Sequence, residues 1–128
     1  MPHIIIEYSA NVEADVDLSE ICEALRKTAC TISAFPMPGI RVRALRVDHY
    51  AIADGNPDHG FIDISVRLRG GRSLSVRQDA VTKLFATAKQ HLAPVMAERS
   101  LALSMEMRDI DPELSPKSGT IRDYLETD

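Results

Sequence analysis

The sequence predicts an α+β fold: a two-layer sandwich of two β-α-β units, with a four-stranded mixed sheet and both helices on one face. Three observations carry that expectation. Four short stretches have the β-branched content or two-residue alternation of strands, and two longer ones place apolar residues at helical spacing. These stretches run strand, helix, strand, then a turn-rich break, then strand, helix, strand again. The chain has 128 residues, 45% hydrophobic and 27% charged, which is one globular domain's worth. We expect a single domain over 1–128, with a first repeat at about 2–50, a second at about 60–110 and a C-terminal tail at 111–128.

The first strand is HIIIEYS, residues 3–9. Pro2 stands just ahead of it, one of the few strand positions that tolerates a missing N–H. Asp17 lies three residues before Glu20, a capping pair. Ile21, Leu25, Ala29 and Ile32 follow at helical spacing, so a helix is expected over 18–33. FPMPG at 35–39 is expected to stop it. In IRVRALRVD, 40–48, Ile40, Val42 and Ala44 alternate with arginines. The apolar face switches near Leu45, which reads as a bulge or as burial on both sides.

ADGNPDHG at 53–60 is turn-rich. FIDISVRLR, 61–69, alternates cleanly, with Ile62, Ile64, Val66 and Leu68 on one face. GGRS at 70–73 ends that strand and supplies a serine N-cap. Val81, Leu84, Phe85, Ala88 and Leu92 define a second helix over about 74–93. SLALSMEMRDI, 100–110, is the last strand. Beyond Pro112 and Pro116, the TIRDYL turn can dock Ile121 and Leu125. Ser65, Arg67, Ser104 and Glu106 make the uncovered sheet face mixed, which suits packing between subunits.

Composition narrows function. A net charge of −4 argues against general nucleic-acid binding. No apolar run approaches the roughly 18 residues of a membrane span, and the start lacks a basic leader, so cytoplasm is expected. Cys22 and Cys30 read as reduced, buried thiols. DGNPDHG begins like a calcium loop but has His59 and Ser65 where glycine and glutamate are required. Histidines 3, 49, 59 and 91 show no ligand spacing. No metal and no cofactor are therefore expected.

Positions 41–77 hold seven arginines (41, 43, 46, 67, 69, 72, 77), four aspartates and no lysine. Arginine suits planar capture of carboxylates, although solvated strand faces give the same pattern. Removal of Met1 would leave Pro2 with a free secondary amine. An α-amino group titrates at about 7.7–8.0, and burial or nearby cations lower it. Such an amine is a general base without an activating partner.

PHIIIEYS, FPMPGIRVR, VDHYAIADG, GRSLSVRQ and APVMAERSLALSMEM together resemble the tautomerase superfamily, and within it the 5-carboxymethyl-2-hydroxymuconate isomerase family, over nearly the whole chain. Small relatives of the 4-oxalocrotonate tautomerase type contain one β-α-β unit beginning with proline, and these isomerases resemble two units fused. The resemblance implies a tautomerase/MIF-like fold, a homotrimer and catalysis without a cofactor. By the same resemblance Pro2 is the catalytic base, and Arg41 in GIRVR and Arg72 in GGRS bind the substrate carboxylates. Arg43 is near enough to contribute. SANVEAD lacks the G-R-S of the second unit, so one site per chain is expected. His49 and Tyr50 depart from the bulkier aromatic character of related isomerases.

The implied reaction moves a proton in a carboxylate-rich 2-hydroxymuconate-type dienol to give the 2-oxo-3-enoate, as in homoprotocatechuate degradation, a branch of aromatic catabolism. A broader keto–enol tautomerase and a non-enzymatic ligand-sensing or assembly module are the alternatives.

Overall fold

The strands of a computed structural model, which describes residues 1–126, form one four-stranded sheet in the order β2-β1-β3-β4. They are β1 (His3–Ser9), β2 (Arg41–Val47), β3 (Gly60–Arg69) and β4 (Leu101–Ile110), with helices α1 (Leu18–Cys30) and α2 (Leu74–Glu98) in the two crossovers. β1 runs parallel to β2 and β3 parallel to β4, while β1 and β3 meet antiparallel at the centre. The two expected β-α-β units are thus joined through their first strands, and the mixed sheet and two-layer architecture hold.

Alternation fixes which face is buried. Ile4 and Ile6 of β1 and Ile62, Ile64, Val66 and Leu68 of β3 are fully buried. They lie beneath Leu25 and Ala29 of α1 and Ala80, Leu84 and Leu92 of α2 in one apolar cluster. The helices also touch each other, with the Thr28 and Thr87 hydroxyls 2.6 Å apart. Helix starts follow the capping residues. The Asp17 carboxylate accepts from the N–H groups of Ser19 and Glu20, and the Ser73 hydroxyl accepts from the N–H of Val76. Each cap is worth about 1 kcal/mol.

Several boundaries differ from expectation. α1 ends at Cys30, short of the predicted end at 33. The Thr31 hydroxyl donates to the Thr28 carbonyl at 2.6 Å, and the Ile32 N–H reaches Ala29 in a closing turn. Ile32 remains buried at 5% exposure, which is why helical periodicity ran through it. FPMPG is therefore not the stop, and Met37–Gly39 is a separate 3-10 turn. α2 runs on through Pro94 to Glu98. Pro94 and Gln90 are both exposed, so the helix passes the missing N–H where water can serve the freed Gln90 carbonyl.

The core row of α2 is Ala80, Leu84, Ala88 and Leu92, whereas Val81 and Phe85 are only half-buried. The two alanines let the helix sit close to its neighbours. β2 has no bulge, since it pairs residue for residue from His3–Arg41 to Ser9–Val47. Leu45 is not buried on both sides either. It is 49% exposed, because it projects from the edge strand on the face opposite the helices. Cys22 is half-buried and Cys30 exposed, so only the first approaches the expected burial. The TIRDYL segment contains a 3-10 turn, Ile121–Tyr124, with Leu125 half-buried and Ile121 47% exposed. Among the described residues no helix is long and apolar enough to cross a membrane.

Candidate active site

The site is built where β1 and β2 begin. Pro2 is fully buried, and its carbonyl accepts from the Arg41 N–H at 3.1 Å, extending the parallel ladder by one residue. A proline at this place loses nothing by lacking an N–H. The 3-10 turn before β2 brings Gly39 against it. A Cβ at Gly39 would stand 3.3 Å from Pro2 Cδ and 3.3 Å from Met1 Cα, so a side chain there would press on the proline ring. The Arg41 guanidinium then folds back, with Nη1 donating to the Gly39 carbonyl at 3.2 Å and lying 3.1 Å from Met1 Sδ.

Arg72 arrives from the turn after β3. Gly71, at φ 113°, makes that turn in a backbone region open mainly to glycine. Arg72 donates from Nη1 to the Arg69 carbonyl at 2.8 Å and from Nη2 to the Ala34 carbonyl at 2.9 Å. The guanidinium is thus held against the segment that precedes FPMPG. Arg41 lies against Met1, whereas Arg72 makes its contacts at the Arg69 and Ala34 carbonyls. Burial lowers the pKa of the Met1 amine from its ordinary value of 8.0, and the charges of Lys117, Arg72, Arg69 and Arg41 lower it further.

Arg43 goes elsewhere. It sits on the helix-free face of the sheet, with Nη1 3.2 Å from His3 Nδ1. Burial, then Arg67, Arg43 and Arg41, push the His3 pKa down, which favours the neutral ring. Of the seven clustered arginines, Arg46 is paired with Glu13 and Asp48, and Arg77 with Asp109. Among the described residues, Arg41, Arg43, Arg67, Arg69 and Arg72 form no ion pair with an acid, and neither does Lys117. The arrangement therefore has positive charge to offer to an anion.

Two cavities flank Met1. One of about 250 Å³ is bordered by Pro36, Pro38, Gly39, Arg41, Lys117 and Arg122. The other, about 130 Å³, is bordered by His3, Arg67, Arg69, Ser115 and Lys117. A larger groove of about 970 Å³ runs between the start of α1 and β2. Glu13, Asp15, Asp17 and Glu23 line it against the single cation Arg26. The buried Pro2 borders none of the three directly, but Met1, bonded to it, borders both smaller cavities. The charge of the large groove is the wrong sign for a carboxylate ligand, whereas the smaller pair is bordered by cations.

His49, Tyr50 and His59 lie at the opposite end of β1, roughly 20 Å away by strand rise. Tyr50 meets Phe61 edge to face at 6.2 Å. His59 is a latch for its loop, with Nε2 2.8 Å from Asp54 Oδ1 and Nδ1 2.7 Å from Ser100 Oγ. These residues do not reach the Met1 cavities of their own chain. Conversely, sequence reasoning passed over His3, Arg69 and Lys117 as site residues. His3 and Arg67 are register partners, so pairing β1 with β3 would have found them. Lys117 lies in a tail without periodicity, and nothing local marks it.

Residues 2–125 match the family described as 5-carboxymethyl-2-hydroxymuconate isomerase. An Escherichia coli relative, 5-carboxymethyl-2-hydroxymuconate Delta-isomerase, is 36% identical over 121 residues, which cover 94% of this chain and 96% of that one. The crystal structure of a 5-carboxymethyl-2-hydroxymuconate delta-isomerase superposes with a TM-score of 0.92 at 29% identity, over 100% of this chain and 95% of that one. A 5-carboxymethyl-2-hydroxymuconate isomerase from Deinococcus radiodurans R1 gives 0.88 at 30% identity, over 98% and 95%. The chain therefore belongs to the 5-carboxymethyl-2-hydroxymuconate isomerase family.

Proposed function

We propose that this protein is an isomerase acting on a carboxylate-rich 2-hydroxymuconate-type dienol, with Pro2 as general base and acid. The observation that carries this reading is the set of cations without acid partners that border the Met1 cavities, Arg41, Arg67, Arg69 and Lys117, in a protein of net charge −4. While Met1 is attached, the Pro2 nitrogen is a tertiary amide without usable basicity. Removal of Met1 frees a secondary amine and joins the two cavities that Met1 separates.

The neutral amine takes the proton of the 2-hydroxyl. The O–H bond breaks and C2 becomes a carbonyl. The double bonds shift to C3–C4, and the prolinium returns the proton to C5, giving the 2-oxo-3-enoate. Arg41 and Arg72 hold carboxylates of the substrate and favour the negative charge that develops on the 2-oxygen. The cycle closes with Pro2 neutral again and requires no metal or organic cofactor.

The whole chain acts as one tautomerase-like domain with one site, because only the second unit carries G-R-S. We place it in a homotrimer, in which the mixed helix-free face of the sheet is covered by other copies. A reducing cytoplasm suits its two free thiols, and homoprotocatechuate degradation suits its substrate class. Replacement of Pro2 by Ala leaves a primary amine of different geometry and basicity. General-base contributions are typically about 100- to 10,000-fold, so kcat should fall by roughly 100-fold with little change in KM. An undiminished kcat would remove Pro2 from the chemistry.

A further inference from the structure

The C-terminal tail returns to the site after β4 ends. The Ile110 carbonyl accepts from the Gly70 N–H at 3.0 Å. Asp111 then closes a turn, its carboxylate accepting from the Glu113 N–H and its carbonyl from the Ser115 hydroxyl at 2.6 Å. Pro112 and Pro116 stiffen this passage. From there the chain crosses beside Met1. Ser115, Pro116 and Lys117 border the smaller cavity, and Lys117, Ser118, Gly119 and Ile121 border the larger. Lys117 and Met1 are the two residues shared by both.

We infer that Lys117, carried in by the tail, binds a third carboxylate of the substrate and so selects tricarboxylates over dicarboxylates. The inference rests on the proposed function and deepens it. The substrate class named for the relatives bears three carboxylates, two on the muconate chain and one on the carboxymethyl arm. Arg41 and Arg72 account for two. Arg43 is turned to His3, so the third needs another cation.

Lys117 is the cation that faces both cavities once Met1 is gone. It has no acid partner among the described residues. The competing cations each border one cavity alone, Arg122 the larger and Arg67 and Arg69 the smaller. A flexible four-carbon stem also lets a lysine follow a carboxylate that swings on a methylene arm.

The test compares Lys117→Ala, Lys117→Arg and Arg69→Ala with the unaltered protein on two dienols, 5-carboxymethyl-2-hydroxymuconate and 2-hydroxymuconate. Lys117 is exposed, so its removal leaves the fold intact. Lys117→Ala should raise KM for the tricarboxylate roughly tenfold or more while leaving the dicarboxylate nearly unchanged, and Lys117→Arg should recover most of the loss. Equal losses on both substrates, no loss, or a selective loss in Arg69→Ala instead would overturn the assignment. Calorimetric binding of the tricarboxylate separates this from the proton-transfer reading. If the unaltered protein turns over neither dienol but Lys117→Ala still weakens binding, the catalytic reading fails and the lysine assignment stands.

Discussion

The Arg41 N–H donates to the Pro2 carbonyl at 3.1 Å, one residue ahead of the paired run of β1 and β2. That single bond sets the position of an arginine side chain relative to the proline ring. Because it belongs to a sheet ladder, the spacing is held by the fold and not by the flexible side chain.

Arg41 and Arg72 differ from Arg43 in their surroundings. They are held by backbone carbonyls, that of Gly39 for the first and those of Arg69 and Ala34 for the second, whereas Arg43 is directed to His3. A charged hydrogen bond to a carboxylate contributes about 1.5–3 kcal/mol, which is roughly 10- to 150-fold in kcat/KM. Arg41→Ala and Arg72→Ala should each lose that much in steady-state kinetics on the muconate substrate. Arg43→Ala should lose clearly less.

The pH dependence has a definite sign. Burial and the cations Lys117, Arg72, Arg69 and Arg41 disfavour the protonated amine at the chain's start, holding it below 8.0. The same charges act on a Pro2 amine one residue further in. The rising limb of kcat/KM should therefore lie below the ordinary value of that amine. Arg72→Ala removes a positive neighbour, so its limb should move to higher pH, independently of any loss in amplitude. High salt should shift the unaltered protein in the same direction.

Gly39 offers a test of the packing that seats the proline. A methyl group there would stand 3.3 Å from Pro2 Cδ, closer than ordinary contact, and overpacking costs about 1–3 kcal/mol. Gly39→Ala should lower Tm by several degrees and reduce turnover more than an equally destabilising change in the distant core, such as Leu84→Ala. Thermal melts and assays on the same preparations check both.

Much of the fold was legible because burial on one face writes a period into the chain. Ile62, Ile64, Val66 and Leu68 alternate in FIDISVRLR and are all buried. Periodicity was weakest where a residue is buried without belonging to the element. Ile32 fills the core from a turn, and that placed the end of α1 too late. Pro94 misled in the opposite sense, because an exposed helical turn can absorb a missing N–H.

Leu45 looked like a bulge because its exposure depends on β2 lying at the sheet edge, which is a property of topology. Pro2, Arg41 and Arg72 were singled out by their motifs. Pro2 and Arg41 meet at the start of the chain, whereas Arg72 is held by the Arg69 and Ala34 carbonyls and borders neither Met1 cavity. His3, Arg69 and Lys117 were not singled out. They join the site through strand register and through the path of the tail, which no local pattern records.

The most direct measurement pairs intact mass with activity. Native protein is separated into the form that retains Met1 and the form that lacks it, each is identified by mass, and each is assayed on 5-carboxymethyl-2-hydroxymuconate. Turnover should reside in the form lacking Met1, with the retained form inert because its Pro2 nitrogen is an amide. Undiminished turnover by protein whose mass includes Met1 would contradict the role of Pro2 as the base.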